Sequence, residues 1–88
     1  MKLTHHAQVR MQQRGIRPDE VECLVRYGRT EYDHHGSRVL YFDRKALRGL
    51  MDRFGGRTAD RLGHLYAVVA GDGAVLTVGH RTRRIRRH

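Results

Sequence analysis

The residues of this sequence best suited to chemistry lie near its beginning and recur at the spacing of one helix side. His6, Arg10 and Arg14 are four residues apart, so their side chains would project along one line of an α-helix. Imidazole exchanges protons near neutral pH, and guanidinium groups bind phosphate through paired hydrogen bonds. These groups suit cleavage of RNA by the ribose 2′-hydroxyl, which requires proton transfer and cations around the phosphorus. Without His6, the same arginines would be typical of a solvated helix face.

Three further residues are candidates for the same chemistry or for binding. His80 is expected at the end of the last strand, where it is either a second proton-transfer group or a surface residue. Tyr41 and Tyr66 are expected on neighbouring strands, where they would stack a base or donate to phosphate. Packing within the sheet is the alternative for both tyrosines, because aromatic residues in strands usually serve that purpose.

The last eight residues carry five arginines and one aliphatic residue, Ile85. They contain too little apolar surface to join a core, so they are expected either to extend the last strand or to form an arm that a partner orders. The arginines expected to contact nucleic acid are Arg81, Arg83, Arg84, Arg86 and Arg87.

Composition narrows the class of partner. Eighty-eight residues are enough for one domain with a modest core. The sequence has 18 Lys and Arg residues against 9 Asp and Glu, a formal net charge of +9, which favours a polyanionic partner. RNA or another nucleic acid is the first expectation, and an acidic protein is the second. The lack of a long apolar run and of a signal-peptide core predicts a cytoplasmic protein without a membrane span.

Cysteine and histidine chemistry is limited by number and spacing. The lone cysteine, Cys23, excludes an internal disulfide and is expected to be a small core residue. His5-His6 and His34-His35 are adjacent pairs whose side chains would point in different directions, and no Cys or carboxylate stands at a zinc-like spacing. We therefore expect neither a metal nor another cofactor.

Two helices are predicted to open the chain. Thr4 is suited to cap the first, and Gly15 to end it in a left-handed conformation with Ile16 covering the end. The second helix begins at Pro18 and ends at Gly28. Its expected buried residues are Val21, Leu24 and Val25.

Two hairpins and a third helix follow. Strand-forming residues predict strands at residues 30–32, 37–42, 65–70 and 74–78. The last two are almost continuously apolar, which predicts a central place in the sheet or cover on both faces. Asp43 is suited to cap the helix between the hairpins, and residues 56–63 are expected to be a mobile polar segment. The expected buried residues of this third helix are Leu47, Leu50, Met51 and Phe54.

This order of elements predicts an α+β fold with a small antiparallel sheet of about four strands and N-terminal helices packed on one side. Residues 1–80 would form a single domain, and residues 81–88 would form the arginine-rich arm. The sequence shows no internal repeat.

The opening of the chain resembles the signature of a bacterial family known as domain of unknown function 4258, H-A-x-x-R-M-x-x-R-G-I. The likeness covers the first 28 residues well and the last hairpin loosely, and it does not extend to the helix after Asp43. That family is similar to the RelE/ParE toxin superfamily, many of whose members cut messenger RNA on the ribosome. The matching residues are His6-Ala7, Arg10-Met11, Arg14-Gly15-Ile16, Asp19-Glu20-Val21 and, in the hairpin, Leu76-Thr77-Val78.

The resemblance implies a RelE-like toxin of a toxin-antitoxin pair. Such a protein would be a metal-independent endoribonuclease that cleaves RNA, including messenger RNA on the ribosome, and an acidic antitoxin would cover its basic groove. The alternative is a non-catalytic nucleic-acid-binding or regulatory protein of the same fold, in which the arginines only bind phosphate. His6 discriminates between them, because removing a phosphate ligand weakens binding whereas removing a proton-transfer group abolishes turnover.

Overall fold

The computed structural model describes residues 1–33 and 35–81, and within them the chain forms four helices and one four-stranded sheet. Neighbouring strands pair antiparallel in the order β1-β2-β3-β4. The predicted α+β class, with N-terminal helices packed on one side of the sheet, is confirmed. The elements are α1 His5–Arg14, α2 Pro18–Tyr27, β1 Arg29–Tyr32, β2 Arg38–Tyr41, α3 Arg44–Phe54, α4 Gly56–Leu62, β3 Leu65–Val69 and β4 Val75–His80.

The predicted boundaries of α1 are confirmed by its caps. The Thr4 hydroxyl accepts a hydrogen bond from the Ala7 N–H at 3.1 Å, which satisfies one of the free donors of the first turn. Gly15 ends the helix with φ of 65°, a left-handed conformation that favours glycine. The Ile16 N–H then donates to the Met11 carbonyl at 2.9 Å, and the Ile16 side chain is buried over the helix end.

The caps of α2 and α3 also follow the sequence. Pro18 occupies the first turn of α2, and the Glu20 carboxylate accepts a hydrogen bond from the Arg17 N–H at 2.9 Å. Asp43 caps α3 by accepting from the Ala46 N–H at 2.8 Å. The capping residues in the sequence therefore predicted the beginnings of three helices correctly.

The expectation of a mobile segment at residues 56–63 is wrong. Residues Gly56–Leu62 form α4, because Ala59 and Leu62 lie one helical turn apart and are both buried in the core. A segment with only two apolar residues can be helical when both of them are buried in the core.

Three side chains predicted to be buried are half exposed. Val25 on α2 is 44% exposed, and on α3 Met51 is 50% exposed and Phe54 45% exposed. The core holds only a narrow strip of each helix, with Leu24 from α2 and Leu50 from α3. The apolar stripe read from the sequence is therefore wider than the surface that the neighbouring elements cover.

The two faces of the sheet have different environments. Leu65, Ala67 and Val69 of β3 are buried against the helices, whereas Tyr66 and Val68 point to the opposite face and are half buried. The prediction of a central hairpin holds for β3, which lies between two strands. β4 is an edge strand that meets Leu3 through a parallel bridge at Val75, and it follows the other alternative, cover on both faces, because its neighbours Val78 and Gly79 point to opposite faces and are both buried.

The helices of the described residues are short. The longest, α3, has eleven residues. Among residues 1–33 and 35–81, no helix has both the length and the apolar character needed to cross a membrane.

Candidate functional site at α1 and β4

The helix that carries His6, Arg10 and Arg14 packs against the edge strand β4. The Thr4 N–H donates to the Val75 carbonyl at 3.1 Å, and the Thr4 hydroxyl donates to the Leu76 carbonyl at 3.1 Å. These bonds attach the beginning of α1 to the beginning of β4. Ala7 and Met11 then bury one side of the helix in the core, and the neighbouring side of the helix faces outward.

The predicted line of ionisable groups lies on this outward side. His6 and Arg14 are exposed, and Arg10 is half buried. None of the three side chains makes a hydrogen bond or an ion pair with another residue in the part of the chain that the structure describes. Their donors are thus available to a ligand, in contrast to arginines that are already engaged by carboxylates.

His80 lies on the same face of the sheet as α1 but at the far end of β4. It is exposed and pairs with Leu65, whose side chain belongs to the core beneath the helices. The Thr4 hydroxyl that anchors α1 is bonded to Leu76, and His80 is four residues further along an extended strand, a distance of about 13 Å. His6 and His80 therefore lie toward opposite ends of β4, so the structure does not bring them together as an acid-base pair.

The two candidate tyrosines face each other across β2 and β3 but differ in accessibility. Tyr41 is 1% exposed, and its hydroxyl donates to a Glu31 carboxylate oxygen at 2.8 Å. Burial and a satisfied hydroxyl give Tyr41 the packing role that was the alternative from the sequence. Tyr66 is half buried, and its ring lies over Gly79 of β4.

Arg81 is held by the backbone at the end of the sheet. One guanidinium nitrogen donates to the carbonyls of Phe42 at 3.0 Å and Gly63 at 3.1 Å, and the Arg81 N–H donates to the His64 carbonyl at 2.7 Å. The guanidinium also lies 5.2 Å from the centre of the Tyr41 ring. Burial lowers the pKa of Arg81, and the nearby Tyr41 partly opposes that shift. Arg83, Arg84, Arg86 and Arg87 lie outside the described residues.

A charged network next to Tyr41 was not predicted. Arg29 of β1 forms an ion pair with Asp43 at 3.1 Å and a longer one with Glu31 at 3.6 Å, so Asp43 both caps α3 and contacts the sheet. The sequence of β1 does indicate part of this network, because residues two apart on a strand share a face and Arg29 and Glu31 have opposite charges. Only the pairing with β2 shows that Tyr41 joins them.

A groove of about 490 Å³ lies between α2 and the pair α3 and α4. Cys23 lines it and packs against the core, which fits its predicted role as a small apolar residue. Burial raises the pKa of the Cys23 thiol, and the negative charge of Asp19 raises it further. The thiol is therefore protonated at neutral pH and a poor nucleophile. The remaining lining residues are Glu20, Glu22, Arg26, Tyr27, Phe54, Thr58, Arg61 and Leu62.

In residues 1–33 and 35–81, no three His, Cys, Asp or Glu side chains are grouped so that they could hold a metal ion. His34, one member of the second histidine pair, lies outside the described residues.

Comparison of the chain with models of protein families, with curated proteins and with solved structures finds no match. The resemblance of the first 28 residues and the last hairpin to domain of unknown function 4258 therefore stays a prediction. The same holds for the further likeness to the RelE/ParE toxins.

Proposed function

We propose that this protein binds RNA through the outward side of α1. The observation that carries the proposal is the line of His6, Arg10 and Arg14, three cationic or ionisable side chains that no other described residue engages. Successive members are separated by about 6 Å along the helix axis, so together they offer donors over about 12 Å. A line of donors of that length suits the repeated charges of a phosphate backbone.

The charge of the whole chain supports a polyanionic ligand. With a net charge of +9, long-range attraction speeds association with nucleic acid, and phosphate contacts release counterions. Sixteen of the 18 basic residues are arginine, whose planar donor group matches phosphate geometry. We place this activity in the cytoplasm, where RNA is the abundant single-stranded polyanion.

RNA cleavage by a RelE-like toxin is the second candidate function. It is favoured by the position of His6 one helical turn from Arg10, because a phosphate bound by Arg10 would be within reach of the imidazole. Arg10 and Arg14 would stabilise the charge that develops on the phosphate, and an acidic antitoxin would compete for the same basic surface. The separation of His80 from His6 leaves His6 as the proton-transfer group of this candidate.

The binding proposal is tested with a fluorescent single-stranded RNA and two matched double variants. Arg10→Gln/Arg14→Gln removes two charges from α1, and Arg48→Gln/Arg57→Gln removes two from exposed arginines of α3 and α4 that have no partner among the described residues. If α1 binds phosphates, the first variant lowers affinity and flattens the plot of log affinity against log salt by about 1.4, or 0.7 for each lost contact. Equal effects of the two variants would contradict the proposal.

Cleavage is tested separately from binding. His6→Ala should lower the rate of RNA cleavage in a translating extract by about two to four orders of magnitude, while RNA affinity changes little because Arg10 and Arg14 still bind the phosphates. Arg10→Lys should also slow it, because an ammonium group cannot make the paired contacts of a guanidinium. In bacteria, expression of the wild type should arrest growth and His6→Ala should not. A wild type that binds RNA but neither cuts it nor arrests growth would leave binding as the function.

A further inference from the structure

One row of paired residues crosses all four strands, and its side chains lie on the face of the sheet turned away from the helices. In this row Arg29 pairs with Tyr41, Tyr41 with Tyr66, and Tyr66 with Gly79. The row belongs to the helix-free face because Leu65, next to Tyr66 in the chain, points into the core on the other side.

Gly79 allows the Tyr66 ring to lie on the backbone of β4. Ring carbons Cε1 and Cζ and the hydroxyl oxygen would be 2.9, 3.1 and 3.0 Å from a Cβ at position 79, so a side chain there would force the ring to shift. Only glycine therefore leaves room for the ring in this position. The ring extends from the interior strand β3 over the edge strand β4, so its hydroxyl end reaches the rim of the sheet.

Tyr66 differs from Tyr41 in what remains available to a ligand. Tyr41 is buried and its hydroxyl is bonded to Glu31, whereas Tyr66 is only half buried. Within residues 1–33 and 35–81, the Tyr66 hydroxyl makes no hydrogen bond. The edge of its ring that carries Cε1 and the hydroxyl lies beside Gly79, and the exposed part of the side chain is open to a ligand at the rim.

We propose that Tyr66, seated on Gly79, stacks an unpaired base of the RNA strand whose phosphates contact α1. The inference rests on the proposed RNA binding and adds a preference for single-stranded RNA. β4 connects the two surfaces, because α1 packs against this strand on one face of the sheet and the Tyr66 ring covers it on the other. A single strand can pass around the rim between them, whereas a duplex has its bases already stacked and cannot offer one to Tyr66.

Stacking on an aromatic side chain is suited to this position. Every base has an apolar face, so stacking on an aromatic ring tolerates any base, and its contribution depends little on salt. The phosphate contacts of α1, in contrast, weaken as salt increases. The two contributions can therefore be separated in one binding assay.

The test uses the full chain and three labelled oligoribonucleotides of twelve nucleotides: a single strand, the same strand with abasic sugars in its centre, and the matching duplex. The wild type should bind the intact strand about five- to 150-fold more tightly than the abasic strand, the usual range for the loss of one stacked base. Equal affinity for the intact and abasic strands would overturn the proposal without the need for any variant.

Variants then assign the effect to Tyr66. Tyr66→Leu should lower affinity for the intact strand to that for the abasic strand and leave the salt slope and duplex binding unchanged, while Tyr66→Phe, which keeps the ring, should bind within about twofold of the wild type. Gly79→Ala displaces the ring and should act like Tyr66→Leu. Circular dichroism and thermal melting check that each variant is folded.

The outcomes distinguish this inference from the proposed function. If the wild type binds none of the oligonucleotides, RNA binding itself fails. If the double variant Arg10→Gln/Arg14→Gln loses affinity but Tyr66→Leu and Gly79→Ala bind the intact strand as the wild type does, RNA binding stands and the stacking site is overturned. An equal loss for intact and abasic strands in Tyr66→Leu would also overturn stacking, because it would show that Tyr66 acts on something other than the base.

Discussion

Replacing Arg81 by alanine should destabilise the fold more than it affects nucleic-acid binding. The substitution removes two hydrogen bonds from a charged donor, to Phe42 and Gly63, and the cation-π contact with Tyr41. Because the side chain is partly solvated, low-end values apply, and the loss should be about 2 to 4 kcal/mol in the free energy of unfolding. That is a large share of the roughly 4 to 13 kcal/mol expected for a domain of this size.

The measurement is thermal unfolding followed by circular dichroism. At about 4 to 8 °C per kcal/mol for a domain of this size, Arg81→Ala should lower Tm by at least about 8 °C. Arg81→Lys keeps the charge and its donors but loses the planar guanidinium over the Tyr41 ring, so its loss should be about half as large. Arg48→Ala is the control, because that exposed arginine has no partner among the described residues, and it should change stability by less than about 0.5 kcal/mol. A Tm for Arg81→Ala within about 2 °C of the wild type would show that the hydrogen bonds from this side chain to Phe42 and Gly63 do not stabilise the fold.

Three further predictions concern local structure. Gly15→Ala should lower stability by about 1 to 2 kcal/mol in chemical denaturation, because φ is 65° at this residue. Gly49→Ala, inside α3 with open space around it, should instead raise stability by about 0.5 to 1 kcal/mol. A change of the same sign in both variants would contradict this reasoning. Thr4→Ala should cost about 1 to 2 kcal/mol and Thr4→Ser much less, since serine keeps the hydroxyl that caps α1 and binds β4. Folding raises the pKa of Cys23, so the folded protein favours the thiol form, and the stability gained in this way is lost as pH rises above about 9. Alkylation of the thiol at pH 8 should therefore be slower in the folded chain than in the urea-unfolded chain, and equal rates would count against the raised pKa.

Much of the local structure could be predicted because its signals act over a few residues. Thr4 and Asp43 cap helices with side-chain oxygens three residues from their targets, and Gly15 ends α1 within one turn. The helix α4 was missed because its polar composition carries no strong apolar period. Its stability depends on Ala59 and Leu62 contacting elements far away in the sequence.

The candidate site was predicted in part. The spacing of His6, Arg10 and Arg14 correctly placed all three on one side of a helix, because the helical period is fixed by backbone geometry. Their relation to His80 could not be predicted, since it depends on where α1 attaches to β4. Arg81 is a similar case, because its partners Phe42 and Gly63 are 39 and 18 residues away.

The sequence by itself determined the α+β class, the ends of most helices, the strand pairs and the strongly basic character of the surface. Each of these follows from residue type and short-range spacing, which act through backbone sterics, local hydrogen bonds and total charge. Only the tertiary structure decided which apolar residues are buried, that β4 is an edge strand, and that Tyr41 is enclosed while Tyr66 lies over Gly79. The reason is that burial and accessibility depend on which distant segments meet, and side chains of the same type acquire different roles according to what covers them.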